Sequence, residues 1–226
     1  MGGLMTLTPF NFLSFWVLIA IENGVSQEMI VLILIFPIIA TIIAFLRHVI
    51  GLRTLGIYIP SILAISFLAT GIKIGLLFFI SILVLGTLIR FVLIKLRLSY
   101  LPRIALILTF VSLLTFAIIV LASYADVPRL TDMAIFPMLV MIILVERFIN
   151  VQIERGFGTA TLLTFETLAI SVFCYFLMIS QGVQSFILHY PGIILLVILF
   201  NLIIGRWTGL RLTEYFRFKQ VIKPKE

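Results

Sequence analysis

The sequence has few charged residues: Asp, Glu, Lys and Arg make up 11% of its 226 residues, whereas hydrophobic residues make up 63%. Soluble globular domains carry about 25% charged and about 45–50% apolar residues. So little charge excludes the soluble globular and disordered classes. It predicts instead a polytopic helical membrane protein, because about 20 consecutive apolar residues cross the hydrocarbon as one helix.

Cysteine is nearly absent as well, since Cys174 is the only one. A single cysteine cannot form an internal disulfide, which excludes the class of small disulfide-stapled secreted modules. Motifs of catalysis and of metal or nucleotide binding are also missing: there is no H-E-x-x-H and no P-loop, and neither His48 nor His189 has a Cys or His companion. The sequence therefore predicts a protein that is not an enzyme and uses no metal or cofactor.

Apolar runs separated by charges and turn residues predict seven membrane spans. These runs are 29–46, 55–70, 73–94, 101–124, 133–149, 159–180 and 186–205. We expect an all-α transmembrane helix bundle forming one domain over residues 29–206. An extracytoplasmic or interfacial segment, 1–28, precedes it, and a basic cytoplasmic tail, 207–226, follows it.

The N-terminal segment leaves the number of spans open. The apolar stretch from Phe10 to Ile21 is short for a crossing, and Pro9 and Trp16 suit a helix at the level of the lipid headgroups. We favour an interfacial or re-entrant helix at the outer leaflet. If this helix crosses, the chain has eight spans and its N-terminus is inside.

The basic residues predict the orientation of the chain. Of the 16 Lys and Arg residues, all but Lys73 and Arg129 fall on one side of the seven-span map. Basic loops are retained in the cytoplasm, so this side and the C-terminus are expected to be cytoplasmic. The net charge of +7 is then explained by topology and contact with membrane lipids, and no nucleic-acid partner is expected.

Glu166 lies well inside the sixth apolar run. A carboxylate at that depth costs at least a few kcal/mol unless it is protonated, paired or hydrated. One interpretation is a proton, cation or ligand site. The other is a structural carboxylate that accepts a hydrogen bond from Thr161, Thr164 or Thr167, or pairs with an Arg on another helix.

Two acid–base doublets lie at the cytoplasmic end of the fifth run: Glu146–Arg147 and Glu154–Arg155. If the helix continues beyond the run, positions 147 and 154 share one face. A charged helix end with exposed ion pairs would contribute well under about 1 kcal/mol per pair. The alternative is a docking surface or a cytoplasmic gate.

Four strings of residues stand in a distinctive order. They are FLRHVIGLRTLG at 45–56 followed by Ile59–Pro60, LRL at 96–98 with Leu101–Pro102–Arg103, Phe136–Pro137–Met138 leading to Glu146–Arg147 and Glu154–Arg155–Gly156, and GRWTGLRL at 205–212. Together they resemble a bacterial seven-transmembrane family usually fused to an inactive transglutaminase-like domain. The resemblance runs from about residue 29 to 218. A weaker likeness is to the membrane subunits of poly-γ-glutamate synthesis of the PgsC/CapC type.

The resemblance implies a multi-pass protein of the bacterial inner membrane. Members of the family accompany ATP-grasp peptide ligases and retropepsin-like proteases. The implied function is a non-enzymatic scaffold subunit of an envelope peptide or poly-amino-acid ligation or export system, docking a cytoplasmic ATP-grasp-type ligase. An extracytoplasmic transglutaminase-like or protease partner is also implied, because no transglutaminase-like domain stands within these residues. Two alternatives remain, a transporter or exporter using Glu166 and a transmembrane sensor, and the substrate and the oligomeric state stay open.

The resemblance carries over no catalytic residues, but it directs attention to the charged residues of the cytoplasmic side. Their positions in the family strings imply a polar network between helices, against which a ligase could dock. Its predicted members are Arg47, Arg53, Arg97, Arg103, Glu146, Arg147, Glu154, Arg155, Arg206 and Arg211.

Overall fold

The computed structural model describes residues 9–94, 99–124 and 135–206, and every regular element in these ranges is a helix. The all-α prediction is therefore confirmed. The helices are α1 Pro9–Glu22, α2 Gln27–Phe45 with a π-helical extension Leu46–Ile50, α3 Tyr58–Thr70, α4 Ile72–Ile94, α5 Tyr100–Tyr124, α6 Ile135–Arg155, α7 Phe157–Ile179, α8 Gln181–His189 and α9 Ile193–Gly205.

Four helices in the described ranges are long and apolar enough to cross a membrane. They span Gln27–Ile50, Ile72–Phe91, Leu101–Leu121 and Phe157–Ile179, and the bent pair of α8 and α9 would make a fifth span. These spans match predicted runs along the chain. The chain is thus a multi-pass membrane protein, while the count of seven stays a prediction. Helix α1 has 14 residues, about 21 Å of rise, against a hydrocarbon layer of about 30 Å.

The chain divides into two compact units. The first comprises residues up to Arg53 and from Phe176 onward, and the second comprises Thr54–Tyr175. One boundary falls in the segment between α2 and α3, and the other falls within α7. The single domain expected over residues 29–206 stays a prediction.

In the first unit, α2 packs against α9. The contact includes a polar pair, because Asn201 Nδ2 donates to Thr41 Oγ1 at 2.6 Å and to the carbonyl of Val197 at 3.0 Å. The rings of Phe45 and Phe200 lie close by, with centroids 6.0 Å apart. In a membrane, a polar side chain that hydrogen-bonds from one apolar helix to another stabilises their contact.

The last predicted run, 186–205, is not one continuous helix. It is broken at Tyr190–Pro191–Gly192, and α8 and α9 meet at 101°. Pro191 disfavours the helical conformation of the residue before it and has no N–H to continue the ladder. The first amides of α9 instead bond to carbonyls of this turn, from Ile193 to Tyr190 at 3.1 Å and from Leu195 to Gly192 at 3.0 Å.

In the second unit, α3, α4, α5 and α6 enclose a hydrophobic core. Its fully buried side chains include Phe67 of α3, Ile82 of α4 and Phe148 of α6. Gly86 lies where α4 crosses α6: a Cβ there would come within 2.8 Å of Val145 Cγ1. Small residues at such crossings let membrane helices approach closely, so Gly86 sets the spacing of α4 and α6.

Helix α3 begins later than its predicted run. The run starts at residue 55, whereas the helix starts at Tyr58 and has 13 residues, or about 20 Å. The amide of Leu55 bonds to the side chain of Thr167 instead of entering a helix. Residues 55–57 of the predicted run are therefore irregular backbone. Together with Thr54 they are called here the break segment, 54–57.

Candidate functional site

Helix α6 carries the largest group of predicted site residues. It continues to Arg155, beyond the predicted run that ended at 149. The continuous helix puts Arg147 and Glu154 seven residues apart on one face. Arg147, Glu154 and Arg155 are all exposed, so this end of α6 has charge on its surface.

The two members of the first doublet have different surroundings. Glu146 Oε1 accepts a hydrogen bond from Nδ2 of Asn150, one turn later, at 3.0 Å. Asn150 is buried, and its Oδ1 finds no partner in the part of the chain that the structure describes. Arg147 makes no hydrogen bond or ion pair with any described residue. Glu146 therefore bonds within its own helix, and it does not pair with Arg147, the other member of the doublet.

A polar clamp, defined as Thr87, Arg90 and Gln152, ties the end of α4 to α6. Arg90 Nη1 donates to Gln152 Oε1 and Arg90 Nη2 to the Gln152 carbonyl, both at 3.1 Å. Gln152 Nε2 in turn donates to Thr87 Oγ1 at 3.3 Å. Gln152 is fully buried, and a buried amide with both ends bonded avoids the cost of unsatisfied polar atoms.

The clamp was not among the predicted site residues. Arg90 was counted only as a basic residue of the cytoplasmic side, and Thr87 and Gln152 were not singled out. The available signal was a polar, uncharged Gln just before the Glu154–Arg155 doublet. Its partner could not be read from the sequence, because Arg90 lies 62 positions away on another helix.

The break segment contacts the middle of α7. The amide of Leu55 donates to Thr167 Oγ1 at 3.1 Å. Thr167 lies about 15 Å along α7 from Phe157, close to the centre of a 23-residue helix that is a candidate span. Thr54 is buried, and its hydroxyl donates to the carbonyl of Gly56 at 2.8 Å. Irregular backbone thus lies against the centre of an apolar helix.

Glu166 precedes that contact point directly and is partly buried. The three threonines considered as its hydrogen-bond donors do not serve that purpose. Thr161 donates its only hydroxyl hydrogen to the Phe157 carbonyl and Thr167 donates to the Leu163 carbonyl. The buried Thr164 hydroxyl has no partner among the described residues. Glu166 does interact with another group, and the choice between a ligand site and a structural carboxylate stays a prediction.

A cleft of about 400 Å³ lies between the break segment, the start of α3 and one face of α6. Its apolar walls include Ile59 and Ile62 of α3 and Val140 and Ile143 of α6, and Arg147 is the charged residue that lines it. The cleft is thus an apolar groove with a cation at one end.

In the first unit, the predicted residues sit at helix ends. Arg47 is half-buried in the π-helical turn Leu46–Ile50, which ends at Gly51 with φ +93°. Arg53 and Arg206 are exposed. The amide of Arg206 bonds to the Leu202 and Ile203 carbonyls at the end of α9, where a cation is favoured by the helix dipole.

The structure leaves the ten-residue network a prediction. Arg97 and Arg211 lie outside the described residues. The described members divide between the two units, with Arg103 and the four residues of α6 in the second. What the structure adds is the clamp beside them.

Comparison with known proteins gives one finding. A family model described as "7 transmembrane helices usually fused to an inactive transglutaminase" matches residues 11–222. No curated protein and no solved structure matches the chain.

Proposed function

Because the chain belongs to the family of seven transmembrane helices usually fused to an inactive transglutaminase, we propose that it is a non-enzymatic scaffold subunit of an envelope ligation or export system. Its product would be a peptide or poly-amino acid of the bacterial envelope. Its partner would be a cytoplasmic ligase of the ATP-grasp type, docked at the charged end of α6. The inner membrane and a cytoplasmic C-terminus are part of the proposal.

The observation that supports docking is the combination of exposed charge and rigid support at this end of α6. Glu154 and Arg155 are exposed, and the clamp bonds Gln152, two positions earlier, to α4. A charged pair on a rigid helix end loses little entropy when a partner orders it. Complementary charge on the ligase would then fix its orientation and speed its approach.

The experiment is a crosslinking pulldown from the native membrane, quantified by mass spectrometry. The variant is the double charge reversal Glu154→Arg with Arg155→Glu, which leaves the net charge unchanged. We expect recovery of the ligase to fall about tenfold or more, because like charges facing a docked partner cost several kcal/mol.

The matched control is the reversal Glu28→Arg with Lys73→Glu, since both residues are exposed and both lie on the opposite side of the predicted topology. It should leave recovery of the ligase unchanged. Full recovery with the Glu154/Arg155 reversal would contradict docking at this surface. An equal loss of ligase recovery in both reversals would mean that the effect is not specific to the end of α6.

Export is a second candidate function, favoured by the break segment. At membrane depth, non-helical backbone is tolerated only where protein buries it or where it lines a water-filled cavity. Many transporters form their binding sites from irregular backbone of this kind, at the ends of discontinuous helices. Here the break segment lies against the centre of α7 at Thr167, the residue that follows Glu166. A carboxylate inside a membrane span often lines an ion or substrate pathway.

The test of export is Glu166→Gln, which keeps the shape of the side chain and removes its charge. We expect release of the poly-amino acid from cells to fall about tenfold or more while the ligase is still recovered, because a pathway carboxylate acts through its charge. Glu146→Gln is the control, since its carboxylate already bonds to Asn150. Undiminished release by Glu166→Gln would remove export and leave docking standing.

A further inference from the structure

The cleft in the second unit ends at Arg147, whose guanidinium makes no hydrogen bond or ion pair with another described residue. Val140, Ile143, Leu144 and Arg147 all line it. These positions follow the spacing i, i+3, i+4, i+7, which places them on one face of α6. An apolar stripe about 10 Å long therefore leads to a guanidinium.

The guanidinium is open to a ligand. Arg147 is exposed and has no hydrogen bond or ion pair with a described residue. Among the described residues Glu146 forms no ion pair with it, and the Glu146 carboxylate accepts a hydrogen bond from Asn150 instead. The fork of N–H groups of Arg matches phosphate oxygens two at a time.

We propose that a phospholipid occupies this cleft, with its phosphate at Arg147 and part of one acyl chain along the stripe. The argument is complementarity at both ends: the cation takes the phosphate, and Ile59, Ile62 and Ile143 provide apolar walls for the chain. Pockets of this volume hold small ligands, so most of the lipid stays in the bilayer. This inference is independent of the proposed scaffold function.

Other occupants fit less well. A soluble phosphate ester would gain the cation but leave the apolar walls uncovered. A peptide strand would bring backbone N–H and C=O groups against those walls, and each group left without a partner costs free energy. A phospholipid has an anionic head for Arg147 and an apolar tail for the walls of the cleft. The candidate spans also place the chain among lipids.

The test is native mass spectrometry of the full chain in detergent, titrated with phosphatidylglycerol. We expect Arg147→Ala to weaken the binding of the first lipid about tenfold, since a charge-assisted hydrogen bond is worth about that factor. Arg147→Lys keeps the charge without the fork and should lose less. Lys73→Ala is the control: it removes an exposed basic residue of the same unit that does not line the cleft, and it should bind as the parent protein does.

A second variant tests the groove apart from the charge. Ile143 is 55% exposed, so Ile143→Trp should fill the groove without disturbing the core and should weaken lipid binding about as much as Arg147→Ala. Unchanged binding in either variant would overturn the proposal, as would an equal loss in Lys73→Ala. Displacement of the lipid by millimolar glycerol phosphate would show an anion site without a lipid tail and would overturn it too. A dimer that disappears in Ile143→Trp would assign the groove to a second copy of the chain.

Discussion

At the scale of single residues, Gln152 is the side chain that we expect to contribute most to the stability of the contact between α4 and α6. It is fully buried, accepts a bond from the Arg90 guanidinium through its Oε1, and donates to Thr87 through its Nε2. A bond to a charged group contributes more than a neutral one, and breaking it leaves the cation with fewer partners inside a helix interface. The backbone carbonyl of Gln152 is the partner of Arg90 that a substitution cannot remove.

We therefore expect Gln152→Leu to lower the free energy of unfolding by about 1.5–3 kcal/mol, the range for a hydrogen bond to a charged group. Chemical unfolding in mixed micelles measures it. Gln152→Glu retains an acceptor for Arg90 and should lose less. The exposed Gln181 gives the control Gln181→Leu, which should lie within about 0.5 kcal/mol of the parent. A stability of Gln152→Leu equal to that of the control would mean that the clamp contributes nothing measurable.

At the scale of helices, the close approach of α4 and α6 depends on a missing side chain. A Cβ at Gly86 would come within 2.8 Å of Val145 Cγ1 and within 3.0 Å of Ile149 Cδ1, atoms of a packed core. Both neighbours belong to fully buried side chains, so neither can move out into the lipid. The same crossing aligns Arg90 with Gln152 one turn later.

Gly86→Leu should separate the two helices and lower the free energy of unfolding by about 1–3 kcal/mol, the usual cost of overpacking a core. It should also weaken the clamp, which hydrogen exchange of the end of α6 would report as loss of protection. The control is Gly158→Leu, because nothing lies within 4 Å of a Cβ at that helical glycine. If Gly86→Leu were as stable as Gly158→Leu, the spacing of α4 and α6 would not depend on the glycine.

The helices also show which parts of the fold could be predicted from the sequence. Composition and apolar runs were enough for an all-α membrane protein, because crossing the hydrocarbon is a property of each segment alone. The breaks were not predicted. The start of α3 moved to Tyr58 because Leu55 bonds to Thr167, 112 positions away, and the turn at 190–192 was a local signal, Pro191–Gly192, inside an apolar run.

The candidate site also has a part that could be predicted from the sequence and a part that could not. The charges of α6 and Glu166 could be picked out because a charged residue near or within an apolar run is conspicuous by itself. The clamp and the cleft could not, since each depends on which helices pack together. Arg147 illustrates the limit: the sequence gives its charge, and only the fold places it at the end of an apolar groove.

At the scale of the whole molecule, orientation in the membrane is the prediction that underlies both proposed functions. A ligase can dock only if the charged end of α6 faces the cytoplasm, and an export path has a direction only once the sides are known. Almost all basic residues fall on one side of the predicted topology, which favours a cytoplasmic location for that side. Ser99, between α4 and α5, and Lys73, at the start of α4, mark the two sides and are both exposed.

Cysteine labelling in spheroplasts tests the orientation, since the native Cys174 is fully buried and gives little background. A maleimide that cannot cross the membrane should label Lys73→Cys at once and Ser99→Cys only after permeabilisation. Thr6→Cys then settles the role of α1: labelling from outside would fit an interfacial helix, and labelling only after permeabilisation would fit eight spans. The reverse pattern at positions 73 and 99 would place the clamp and the charged end of α6 outside the cell. The partner sought by the pulldown would then have to be an extracytoplasmic protein.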